Sequence, residues 1–192
     1  MARTKEFDPD EVLVQAMDLF WERGYEATSM ADLVGHLGIA RASIYGTFGS
    51  KHELYLSALR RYLESRETGF VAALSQPGPA LPAVRALVES WAEEALHDPT
   101  RRGCLVVNAA VELSSRDPAV AAQVDKSWTV LETALGSALV RAHAQGELDD
   151  SRDPYALARF LLVLLQGIRV IARAAPDRAR IRAATDQALA LL

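Results

Sequence analysis

The chain has 192 residues, half of them hydrophobic, with a net charge of −4 and one cysteine. That length can bury a sizeable core in one compact unit carrying a small module, and a lone thiol excludes an intramolecular disulfide. His36, His52, His97 and His143 lack metal-site spacing, no secretory stretch opens the chain, and the longest strongly apolar run, Phe160 to Leu165, is too short to span a bilayer. A cytoplasmic protein with no metal, no cofactor and no membrane contact is the expectation.

No repeat and no useful strand-like alternation appears, so the chain reads as all-α. In Phe7-Asp-Pro-Asp-Glu-Val12, Asp8 is an N-cap, Pro9 suits the first helical position, Glu11 can cap reciprocally, and Phe7 and Val12 form a hydrophobic staple. Val12, Leu13, Ala16, Leu19 and Phe20 supply the core stripe of this first helix, and Gly24 ends it.

Residues 28 to 51 read as a short helix, a glycine turn and a second short helix. Thr28 or Ser29 caps the first of these, whose apolar stripe is Met30, Leu33, Val34 and Leu37, and Gly38 permits the turn. Ile44 and Phe48 repeat four residues apart on the second helix, while Arg41, Ala42, Ser43, Tyr45, Gly46 and Thr47 leave its other face short and polar. A helix that enters a major groove needs small residues for close approach and a few donors for bases and phosphates. From His36 to Arg66 there are five bases (Arg41, Lys51, Arg60, Arg61, Arg66) against Glu53 and Glu64, a local charge of +3 on an acidic chain.

The run from Gly38 to Lys51, Gly-Ile-Ala-Arg-Ala-Ser-Ile-Tyr-x-x-Phe-x-Ser-Lys, resembles the helix-turn-helix signature of the TetR family of bacterial transcriptional regulators. Gly35 and Gly46 depart from the commonest pattern. The resemblance implies a DNA-binding site of Thr28, Ser29, Arg41, Ala42, Ser43, Tyr45, Gly46, Thr47 and Lys51. In the family pattern Thr28, Tyr45, Thr47 and Lys51 stand on phosphates, while Arg41, Ala42, Ser43 and Gly46 face base edges. It also implies residues 1–50 as the DNA-binding domain and 51–192 as a helical ligand-binding and dimerisation domain.

Ser50 caps a fourth helix, 51–74, that connects the two and is broken by Pro77-Gly78-Pro79. Asp98-Pro99, Asp117-Pro118 and Asp153-Pro154 punctuate the remainder, placing helices near 81–97, 102–113, 118–145, 154–174 and 177–191. The helix at 154–174 carries Leu157, Phe160 to Leu165, Ile168, Val170 and Ile171, which leaves scarcely one polar stripe. With Gly167 and the small face of Ala183, Ala184, Ala188 and Ala190 on the last helix, it reads as half of a four-helix dimer interface through Phe160, Leu164, Gly167, Ile168, Ala184 and Ala188. The alternative is the central core helix of a monomer.

Cys104, Asn108 and Glu112 recur every four residues, and with Trp91 and Trp128 they are candidates to line an apolar effector cavity. The alternative is that the tryptophans fill core, Asn108 bonds to backbone and Glu112 lies in water. Cys104 follows Arg101-Arg102-Gly103 near a helix start, a setting that favours a thiolate, although a lone cysteine also serves as a small buried hydrophobe.

No metal cluster, phosphate-cradling loop or Ser/His/carboxylate set favours an enzyme. The reading is a homodimeric TetR-type regulator, a repressor released from a near-palindromic double-stranded operator by a small organic effector. The alternatives are a ligand-blind architectural or accessory DNA-binding dimer and a thiol-based redox or electrophile sensor using Cys104.

Overall fold

The computed structural model describes residues 7–175 and 177–192, and these form nine helices with no strand. In chain order they are α1 (Pro9–Arg23), α2 (Met30–Leu37), α3 (Arg41–Phe48), α4 (Lys51–Leu74), α5 (Ala80–His97), α6 (Leu105–Glu112), α7 (Pro118–Ala144), α8 (Pro154–Ala174) and α9 (Arg178–Ala190).

Local capping accounts for most helix starts. Ser29 and Asp32 form a reciprocal capping box on α2, and the hydroxyl of Ser50 accepts from the Glu53 N–H on α4. Asp8, Asp117 and Asp153 each cap a helix whose first residue is proline. Two expectations fail locally. At α1 Asp8 accepts from the Asp10 N–H and no reciprocal bond from Glu11 closes, so the capping box there is absent. At Asp98-Pro99 no helix begins. The Asp98 carboxylate accepts from the Thr100 and Gly103 N–H groups, holding residues 98–103 as a turn, so α6 starts only at Leu105 with Cys104 as its N-cap.

One core cluster joins α1, α2, α3 and the first half of α4 through Leu19, Phe20, Leu33, Ile44, Leu54 and Tyr55, and extends to Leu105, Val106, Ala109, Val120 and Val124 on α6 and α7. The core of the N-terminal helices is therefore continuous with α6 and the start of α7. A second cluster packs the end of α4 with α5, α7, α8 and α9, and a third closes α5 against α8 and α9.

α8 lies against α5, α7 and α9. Leu157, Leu161, Leu165, Ile168 and Ala172 are buried there, while Ala156, Phe160, Val163, Gly167, Val170 and Ala174 form an exposed stripe along the opposite side. By length and composition this helix could span a bilayer, unlike the short run at its centre. Its packing instead makes it a core helix with one uncovered apolar face.

The expected dimer residues divide accordingly. Phe160 and Gly167 are exposed, Leu164 and Ala184 are half-buried, and Ile168 and Ala188 lie inside the chain's own core, at 3 % and 0 % exposure. Ile168 packs with Ala92, Ala95 and Ile181, so it holds α8 to α5 and α9 and is not surface for a second copy. Ala188 belongs to the second core cluster in the same way.

Candidate functional site

The α3 face begins with what its helix does not bury. Only Ile44 is fully buried on α3, whereas Arg41, Ala42, Tyr45 and Gly46 are exposed and Ser43 and Thr47 are half-exposed. The Arg41 guanidinium donates to Tyr45 Oη at 3.1 Å and lies over its ring, which holds two polar tips together on the outer face. A Cβ added at Gly46 would meet no atom within 4 Å, so no neighbour in the chain requires a glycine at this position. Gly38, by contrast, has φ +65°, the left-handed conformation that turns the chain from α2 to α3.

Lys51 and Ser29 flank this face. The Lys51 ammonium lies 4.1 Å from the centroid of the Tyr25 ring, which restrains it beside the start of α4. The Ser29 hydroxyl is occupied in the capping box. Its bonds, followed by Arg23, hold the Asp32 carboxyl below the usual carboxylate range. Thr28 departs from the expectation. It is fully buried, and its hydroxyl donates to the Gly24 carbonyl at 2.6 Å, so its side chain closes the α1–α2 corner and has no surface to offer a phosphate.

That corner is also where the rest of the molecule grips the N-terminal helices. Glu112, the last residue of α6, accepts from the backbone N–H groups of Tyr25 at 3.1 Å and Glu26 at 2.8 Å. Gly24 has φ +87°, and a Cβ there would meet a Glu112 carboxylate oxygen at 3.0 Å, so glycine admits this approach. Nearby, Arg116 pairs with Glu26, and His52 on α4 pairs with Asp117 at 2.6 Å. Burial pushes the Asp117 carboxyl up, but bonds from the Val120 N–H and from His52 outweigh it and hold the group below its ordinary value. Trp21 Nε1 donates to the Gly103 carbonyl and Arg102 pairs with Asp18, both across to α1. Glu112 is thus a tether between α6 and the α1–α2 corner.

The expected effector residues separate into two places. Trp91, Cys104 and Trp128 meet Tyr62, Arg66 and Arg169 around a small cavity of about 30 Å³, room for roughly one water. Asn108 and Glu112 face an open groove of about 540 Å³ between the end of α1, α6 and the end of α8. Asn108 donates to the Arg102 carbonyl at 3.0 Å. Cys104, the N-cap of α6, lines the small cavity, whereas Asn108 and Glu112 line the groove.

Within the small cavity, Trp128 Nε1 is buried with no acceptor, and Tyr62 Oη donates to Cys104 Sγ at 3.6 Å. Burial pushes the Tyr62 hydroxyl's pKa up, so it remains a donor. Glu94 receives Arg66 at both carboxylate oxygens and Arg169 at one. Burial pushes its carboxyl up, but the two guanidinium groups hold it below the ordinary value. Sequence reasoning missed this bridge, because its members stand on α4, α5 and α8 with no local pattern linking them.

Comparison with known proteins places these features in one family. Residues 12–58 match the family "Bacterial regulatory proteins, tetR family", and residues 80–188 match "Tetracyclin repressor-like, C-terminal domain". The chain is 39 % identical over 194 residues to the HTH-type transcriptional regulator YezE of Bacillus subtilis, covering 100 % of both proteins. It is 33 % identical over 174 residues to the HTH-type transcriptional repressor ComR of Escherichia coli, covering 89 % of this chain and 82 % of that one. Its fold is similar to that of a cysteine mutant of the TetR-family regulator CifR in complex with 26-base-pair operator DNA, with a TM-score of 0.85, 32 % identity and 98 % of each chain covered. The chain belongs to the TetR family of bacterial transcriptional regulators, which are DNA-binding proteins and not enzymes.

Proposed function

We propose that this chain acts as a homodimeric repressor that binds a near-palindromic operator and is released by a small organic effector. The observation that carries the reading is the pair of hydrogen bonds that the Tyr25 and Glu26 N–H groups donate to the Glu112 carboxylate, which couples the orientation of the α3 face to the effector domain. Arg41, Ala42, Ser43 and Gly46 are assigned to base edges, and Tyr45, Thr47 and Lys51 to phosphates. Ser29 contributes through its place at the helix start, and Thr28 contributes only by holding the corner. The exposed stripe of α8, Phe160, Val163, Gly167 and Val170, is assigned to the partner copy together with the outer face of α9.

Trp91, Cys104 and Trp128 are assigned to the effector, with Asn108 and Glu112 as the residues that relay its presence to α1. Successive major grooves on one face of DNA lie about 34 Å apart, so a small rotation of each DNA-reading head costs base and phosphate contacts together. A difference of about 1–3 kcal/mol in effector affinity between the two states gives roughly 5–150-fold coupling.

Genome-wide recovery of bound DNA fragments tests this. Recovered fragments should share one near-palindromic site, and a site without two-fold symmetry would overturn the dimeric reading. A second reading, thiol sensing, is favoured by the proximity of Cys104 Sγ to Tyr62 Oη inside the cavity. Cys104→Ser separates the two, since a noncovalent effector keeps its action on that variant and an electrophile or oxidant loses it.

A further inference from the structure

Two spaces in the effector domain share one side chain. A cleft of about 280 Å³ lies between the end of α1, the 98–103 turn and the end of α8, with Trp21, Glu94, Arg101, Arg102, Arg169 and Arg173 in its wall. Beside it is the smaller cavity of Trp91, Cys104 and Trp128, and Arg169 lines both. The Arg169 side chain is only 7 % exposed, its guanidinium carbon lies 5.1 Å from the centroid of the Trp91 ring, and its Nη2 is 2.9 Å from Glu94 Oε2. It therefore forms a shared wall between a larger space and a smaller one.

The cleft carries more positive charge than it satisfies. Four arginines face two carboxylates, Glu94 and Asp98, a formal excess of +2 with His97 neutral. Asp98 is engaged by Thr100 and the Gly103 N–H, and Glu94 by Arg66 and Arg169. Arg102 pairs with Asp18 and lies 4.1 Å above the Trp21 ring, yet its Nε is buried with no acceptor. Among the described residues no carboxylate pairs with Arg101 or Arg173, and Arg101 is held at φ +50°, the one non-glycine residue there with positive φ. Such strain persists only where the surroundings over-determine it. Trp21, Ala95 and Ala172 complete the wall with apolar surface.

We infer that the cleft is the entry and head-group site of the effector, and that the effector is a small organic anion whose carboxylate or phosphate takes Arg169 from Glu94. The inference rests on the reading of this chain as an effector-released regulator. Guanidinium forks recognise planar oxyanions in two-point geometry, and the size of the cleft suits a molecule of about one ring. The exchange strands no charge, because Glu94 keeps both bonds to Arg66 while Arg169 gains the incoming anion. Turning Arg169 away from Trp91 enlarges the smaller cavity for the apolar body. The same wall belongs to α1, through the Trp21 bond to the Gly103 carbonyl and the Arg102–Asp18 pair, so filling the cleft acts on the DNA-binding head directly.

The test uses the full chain, with benzoate and phenyl phosphate as anionic probes and benzyl alcohol as the neutral control. Binding is read by tryptophan fluorescence at constant ionic strength, and operator release is measured separately. Saturable binding of at least one anion is expected below about 10 mM, weakened at least about tenfold in Arg101→Ala/Arg173→Ala and strengthened several-fold in Glu94→Gln, which removes the competing carboxylate. Tighter binding of benzoate or of phenyl phosphate identifies the head group. Equal binding of benzyl alcohol, no saturation by either anion, or an unchanged affinity in the double arginine variant overturns the inference. A weaker affinity in folded Glu94→Gln does so too, since it would mean that the bridge only holds α5 to α8. Anion binding that leaves the operator bound counts against the effector-release reading and, with it, the assignment of these anions as effectors. Operator binding with no anion bound anywhere counts against the cleft alone.

Discussion

Two helices in this molecule leave one face in solvent, and the two faces are opposites. α3 buries Ile44 and exposes arginine, small residues and a tyrosine hydroxyl. α8 buries Leu157, Leu161, Leu165, Ile168 and Ala172 and exposes Phe160, Val163 and Val170, at 40 %, 72 % and 47 %. A polar face with close backbone access matches a hydrated polyanion, whereas an apolar stripe at helical spacing matches another apolar stripe. Exposure leaves both faces open, and under the proposed function the chemistry of each suits a different kind of partner.

The largest test of that contrast is Val163→Glu, which places a charge at the centre of the α8 stripe. It should shift the protein to monomer in sedimentation at a cost of several kcal/mol to association, with the monomer remaining helical. Ile168→Glu should unfold the chain instead, because that side chain lies in the core. Identical behaviour of the two variants would break the distinction between the covered and uncovered sides of α8.

Next is Glu112→Ala, which removes the acceptor of two backbone N–H groups. Destabilisation of the α1–α2 corner by about 1–3 kcal/mol is expected, seen as faster hydrogen exchange at the Tyr25 and Glu26 amides and weaker operator binding. Unchanged exchange at both amides would show that the tether does not hold the head.

On α3, Arg41→Ala should alter sequence preference at a cost of about 1–3 kcal/mol, and Lys51→Ala should weaken all sequences alike and flatten the salt dependence by about one unit. If both variants bind the operator as the parent chain does, the polar face is not the reading face. The smallest effect is reserved for Gly46→Ala. The chain has open space for the methyl group, and helix propensity favours alanine by up to about 1 kcal/mol, so thermal stability should rise. A simultaneous loss of operator affinity would show that DNA approaches the helix backbone there, and no loss would show that it does not.

What was readable from the sequence was local. Ser29, Ser50, Asp117 and Asp153 announce their helices because a cap and its N–H partners lie within a few residues. Glu147 was invisible by the same logic: its carboxylate accepts from the Ala80 and Leu81 N–H groups at the start of α5, far away in sequence. On the nearly all-apolar α8, hydrophobicity said little about which side met the chain's own core, and so Ile168 was placed outward. Thr28 belongs to a family pattern, but its hydroxyl is satisfied by Gly24 once the corner closes. The site residues divided for a related reason: helical spacing relates side chains only within one helix, and Cys104 stands just outside α6.

The Glu112 tether grips peptide N–H groups and not side chains. Every residue type except proline presents the same donor, so Tyr25, Glu26 and the whole outward surface of α3 are free to change identity without loosening that hold. Substitution in the head can therefore change what α3 presents to DNA while these two bonds stay intact. One carboxylate and one glycine, Glu112 and Gly24, make this contact indifferent to the side chains that the head displays.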